Sequence, residues 1–171
     1  MDAREVVIAQ FKLSHGLLQR IIAGVSPVAL QHTLEGASID TVASTFAHLV
    51  FAEDTLVNRL ALAGAVVFET GGWAGKTGTV MPAHPGQSHE WAATVALDME
   101  RFMPYAQAVF ANTEEILATS SDAQLAQPVE TPLGPNTAFG TISQIALYHT
   151  THHSGEISAL LGVQGLKGLP F

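Results

Sequence analysis

A chain of 171 residues that is 47% apolar and only 13% charged is long enough to bury a core and too apolar to stay disordered. Its net charge of −8, with seven Lys and Arg scattered along its length, argues against a nucleic-acid surface, because phosphate binding needs clustered cations. Cysteine is absent, which excludes disulfides, zinc ribbons and thiol nucleophiles and leaves histidine and carboxylate as the available metal ligands.

Helical periodicity carries four long segments, and the alternation of a β-strand is nearly absent. The first runs from about Asp2 to Ala23, with Val7, Phe11, Leu18 and Ile22 on one stripe and Val6, Leu13, Leu17 and Ile21 beside it. Ser26-Pro27 ends it, and a short helical turn is expected over Val28 to Thr33. The second helix starts near Ser38 to Asp40, which offer an N-cap, and carries Val42, Phe46, Leu49, Val50, Leu56 and Leu60 toward Gly64.

From Gly64 to Gln87 the sequence holds six glycines and two prolines with little periodicity, which reads either as a lid or binding loop or as an ordered crossover. The third helix is expected from Ser88-His89-Glu90-Trp91 to about Ser120, with a kink or break at Pro104. Gln127 to Asn136 is too rich in proline for a helix and serves as a connector. The fourth helix runs from Thr137–Thr141 to about Gly162, and a glycine-rich tail ending at Pro170 and Phe171 follows. Residues 1–171 form one all-α domain, a four-helix bundle with a long crossover between its second and third long helices. The charged N-terminus lacks the layout of a signal peptide, and the most apolar run, Leu60 to Phe68, is far short of the ~20 residues that span a bilayer. The expected setting is the cytoplasm, with no membrane contact.

The chemistry concentrates in Tyr148-His149-Thr150-Thr151-His152-His153-Ser154-Gly155-Glu156. On a helix His149 and His153 lie about 40° apart around the axis, and Glu156 falls within about 20° of His149 on the same face. Two imidazoles so placed can converge on one cation, can be hydrogen-bonded core groups, or can face solvent. The helix is otherwise apolar on these faces (Ile142, Ile145, Ile157, Leu160, Leu161), and buried polar groups need partners, which a cation supplies to both rings at once. His48, amid Phe46, Ala47, Leu49 and Val50, is the candidate third ligand or else a satisfied core histidine, and Ala52 one turn on leaves room for a pocket.

Three neutral imidazoles leave a coordination position open, as in catalytic sites, and suit zinc, nickel, copper or iron. Glu156 can orient a ligand ring, act as a general base, or face solvent. His152 reads as a hydrogen-bonding neighbour, His15 as a core residue or pocket wall, and His84 and His89 as groups able to close over the site. Glu53 and Asp54 read as solvated or capping carboxylates, and His32 carries no signal.

His48 followed by Glu53-Asp54, His149-x-x-His152-His153-x-Gly155-Glu156-Ile157, and the closing Gly162-Val163-Gln164-Gly165 and Gly168-Leu169-Pro170 together resemble the DinB-like superfamily of small four-helix metal-binding proteins. The resemblance implies an up-down-down-up bundle and makes His48, His149 and His153 the metal ligands, in an all-histidine version of the site. It places Glu156 where relatives often have Gln. It also implies one divalent transition metal per chain, zinc or nickel first and manganese or iron next, and a homodimer. Relatives include metal-dependent thiol transferases and a mycothiol-dependent maleylpyruvate isomerase. The expected function is therefore metal-dependent transfer of a low-molecular-weight thiol to a small-molecule electrophile. Metal-assisted hydrolysis and non-enzymatic metal binding in a stress response are the alternatives.

Overall fold

A computed structural model describes residues 2–36, 38–83 and 88–169. Helix α1 (Ala3–Ile22) opens with a reciprocal capping box between Asp2 and Glu5 and buries Val7, Phe11, His15, Leu18, Ile21 and Ile22. Of the flanking stripe, Leu13 stays 59% exposed. The short α2 (Pro27–Leu30) is capped by Ser26. Helix α3 (Val42–Asp54) is capped by the Thr41 hydroxyl, one residue beyond the expected Ser38 to Asp40, and continues into a π-helical stretch, Thr55–Ala61. The crossover contains α4 (Val67–Thr70) and α5 (His89–Ala92).

Helix α6 (Met99–Thr119) runs through Pro104 without a break. It starts later than the periodicity suggests because the Asp98 carboxylate caps it, while Val95 and Leu97 reach the core from the non-helical link before it. After α7 (Asp122–Leu125), the expected connector is an antiparallel hairpin of β1 (Pro128–Thr131) and β2 (Gly134–Thr137), with Thr131 opposite Gly134 and Gly134 at φ +107°. Then α8 (Ala138–Gly140) and a second π-helical stretch, Thr141–Ala146, lead into α9 (Leu147–Val163).

Cross-helix contacts fix the topology. Arg4 reaches the Ser120 carbonyl and Asp122 while His15 meets Glu114, so α1 and α6 run antiparallel. Phe46 meets Phe102, and Glu53 meets Thr113, so α3 and α6 run in the same direction. His48 meets His149 and His153, while the π-helical stretch that follows α3 packs on the one that precedes α9, so α9 runs against α3. This is the up-down-down-up arrangement, and residues 62–98 return the chain between two parallel helices. Over its described part the return is an ordered crossover. Phe68, Trp73, Met81 and Trp91 pack on the core, and Arg101 holds the carbonyls of Gly75 and Lys76. Asp54 accepts from the Val67 and Phe68 amides, from Asn58 and from the Tyr105 hydroxyl. It is a buried cap for α4, and burial pushes its carboxyl up from the ordinary value. No helix among the described residues is long and apolar enough to cross a membrane.

Every residue of α3 is buried, so it is the central helix and its polar side chains cannot reach water. Glu53 is fully buried. Its Oε1 accepts from the Thr113 hydroxyl at 2.8 Å and its Oε2 from the Thr150 hydroxyl at 2.9 Å. His15 Nε2 lies 3.0 and 3.2 Å from the same two oxygens, and His15 Nδ1 lies 3.0 Å from Glu114. The imidazole stacks on Phe110 with centroids 4.1 Å apart. A ring with a carboxylate at each nitrogen is best satisfied as an imidazolium, donating at both. Burial opposes that charge, but the two carboxylates outweigh it, and the His15 pKa is raised above 6.5.

A raised histidine pKa contributes stability that is complete below its unfolded value and is lost as pH rises through the folded one. The stability difference between the natural chain and His15→Gln, measured by urea unfolding, is therefore largest below pH 6.5 and shrinks at alkaline pH. A pH-independent difference contradicts the buried imidazolium.

Candidate metal centre

His48 lies at the middle of α3 with 5% of its surface exposed, facing the first two turns of α9, which carry His149 and His153. The i, i+4 spacing puts the two α9 rings on one face, with centroids 4.3 Å apart, and His48 sits 4.8 and 4.9 Å from them. The Nε2 atoms of His48 and His149 are 3.0 Å apart, and one nitrogen from each of the three rings lies within 4.8 Å of the others. Metal–nitrogen bonds of about 2.0–2.1 Å in a tetrahedron place the nitrogens about 3.4 Å apart, inside the observed range.

The electrostatics agree with that use. Burial, followed by the neighbouring imidazoles, lowers the His149 pKa to about 3. Burial, then His153, lowers the His48 pKa to about 4, with Asp40 opposing. Both rings are neutral at pH 7, the form that binds a cation. The buried Nδ1 atoms of His48 and His149 have no hydrogen-bond partner. The Nε2 atoms of the two rings are paired with each other, and with each ring's proton on Nδ1 both Nε2 lone pairs are free to point at a shared cation. The donor set fits a divalent transition metal.

Glu156 sits behind this cluster. One of its carboxylate oxygens accepts a short hydrogen bond from His153 Nδ1, which leaves His153 Nε2 for the cluster. Its other oxygen is 3.9 Å from Nε2 of His152, which is 51% exposed and stacks on Tyr148. The remaining histidines stay away. His152 is a neighbour of Glu156, and His15 belongs to the Glu53 network. His89 is 77% exposed and pairs with Asp40 at 3.1 Å, and His32 is exposed. His84, expected to close over the site, lies outside the described residues, as do Gln87, Pro170 and Phe171.

Glu53 corrects the sequence reading, which placed it in solvent or at a cap; it is one of the most enclosed side chains in the chain. The available signal was the apolar run Phe46 to Ala52 on every face of its helix, which leaves a carboxylate at position 53 no route to water.

Comparisons with known proteins agree with the bundle. The sequence profile of the DinB superfamily matches residues 10–157. A solved structure of a conserved protein from Enterococcus faecalis superimposes with a TM-score of 0.76 at 17% identity, covering 94% of this chain and 95% of that one, which shows a shared fold. No curated protein matches the chain. With the profile spanning most of its length, the chain belongs to the DinB superfamily.

Proposed function

We propose that His48, His149 and His153 hold one divalent transition metal ion, and that the site catalyses transfer of a low-molecular-weight thiol to a small electrophile. The observation that carries the reading is the convergence of three imidazoles from two antiparallel helices, two of them kept neutral by their enclosed setting. Nitrogen donors suit zinc or nickel first, with manganese or iron as alternatives. Such an ion, with three protein ligands, keeps a coordination position free and lowers the pKa of a thiol or water placed there. In the transfer, the thiol would lose its proton to solvent and its sulfur would form the new bond to carbon, while a halide leaves or an epoxide C–O bond opens and its oxygen takes a proton from solvent.

The chain's own residues prepare that chemistry. The helix spacing sets two ligands on one face, and the apolar surroundings keep two of the rings neutral. Of the roles open to Glu156, its contact with His153 Nδ1 supports the orienting one, since that hydrogen bond fixes the ring's tautomer and leaves Nε2 for the cluster.

Purified protein is expected to carry about one divalent ion per chain, a stoichiometry set by three imidazoles per chain. His153→Ala is expected to lose it, and full occupancy in that variant removes the assignment. Glu156→Ala should weaken metal binding by roughly 10–100-fold and Glu156→Gln by much less, because an amide oxygen still accepts from Nδ1. Equal affinities in the two variants contradict the orienting role.

Bacillithiol, mycothiol, glutathione and coenzyme A, offered with chlorinated or epoxide electrophiles, should show turnover that a chelator abolishes. Turnover insensitive to chelation, or none with any thiol, contradicts thiol transfer. Consumption of the electrophile without thiol assigns the site to hydrolysis instead.

A further inference from the structure

We propose that Glu53 is a positioning residue for the three-histidine cluster, acting through the Thr150 hydroxyl. The inference rests on the metal-binding reading and adds the element that aligns its ligands. Glu53 follows His48 by five residues, which puts it about 140° around α3 and about 7.5 Å along it. Thr150 adjoins His149 on α9. Among the described residues, the hydrogen bonds between these two helices are His48 to His149 and Glu53 to Thr150. The rest of α9's buried surface on this side is aliphatic, including Ile157, Leu160 and Leu161. Aliphatic contacts tolerate small slides and rotations, whereas a metal site needs its ligands within about 0.5 Å of their places.

The anchor itself has little freedom. Thr113 on α6 and His15 on α1 hold the Glu53 carboxylate independently of α9. Neither of those helices carries a member of the histidine cluster. The carboxylate is thus a fixed reference to which Thr150 ties the ligand-bearing helix, one residue from His149.

The network supplies its own control. Thr113 and Thr150 are both fully buried, and each donates one hydroxyl hydrogen bond to Glu53, at 2.8 and 2.9 Å. Thr113→Val and Thr150→Val each remove one such bond while nearly keeping the side chain's shape. A purely structural network predicts similar drops in the urea midpoint and no difference in metal affinity. The positioning role predicts similar drops in stability, but a zinc dissociation constant about tenfold weaker for Thr150→Val, against a change within about twofold for Thr113→Val.

The test is a competition titration of zinc against a chromophoric chelator, with urea unfolding run in parallel on the full chain. Thr150→Ser, which restores the hydroxyl, should return the affinity to the natural value. Thr150→Ala, the second variant should the valine fold poorly, should show the same weakening. Equal affinities for Thr113→Val and Thr150→Val, natural affinity in Thr150→Ala, or failure of Thr150→Ser to restore binding overturns the proposal while leaving the metal site intact. A natural chain that binds no zinc and no nickel overturns the metal reading and this proposal with it.

Discussion

A helix buried on every side has no water to offer its polar side chains, and in this bundle α3 is that helix. Each polar group it carries must be satisfied by a neighbouring element, or it costs free energy. Three of them organise much of the molecule. Asp54 collects two amides of the crossover and the Tyr105 hydroxyl, which pins the long return between parallel helices. Glu53 gathers donors from α1, α6 and α9 around one carboxylate. His48 meets the two imidazoles of α9, and its Nδ1 is left without a hydrogen-bond partner among the described residues.

The contrast between Glu53 and His48 separates architecture from chemistry. Around Glu53 the donors and acceptors balance, with a histidine charged between two carboxylates and hydroxyls on the remaining positions. Facing His48 are other imidazoles, whose proximity adds to burial in keeping the rings of His48 and His149 uncharged. A balanced network specifies a fold. Converging neutral imidazoles, each with one nitrogen lone pair to offer, fit a cation, and Glu156, on the outer side of His153, completes one of the three rings.

Much of this was legible in the sequence where the evidence was local. The i, i+4 spacing of His149 and His153 fixes their common face, the apolar stripe of α1 fixes its orientation, and the glycine-rich stretch after Gly64 marks the crossover. The misreadings have non-local or short-range causes. The partners of Glu53 lie 38, 60 and 97 residues away, so no window along the chain contains them. Val95 fits the helical period yet lies in the non-helical link between α5 and α6, because Ser88 caps only the four-residue α5 and Asp98 starts the long helix anew. Strands of four residues that each hold a proline, Pro128 and Pro135, give too weak a strand signal, so the hairpin read as a plain connector.

The central claim is that His48, His149 and His153 together hold one ion. X-ray absorption at the metal edge of zinc- or nickel-loaded protein, paired with anomalous diffraction from its crystals, measures that directly. The expected result is an ion bound to three imidazole nitrogens at about 2.0–2.1 Å, between α3 and α9, with no fourth ligand from the protein. An ion bound elsewhere, or one whose coordination omits His48 or either α9 histidine, contradicts it.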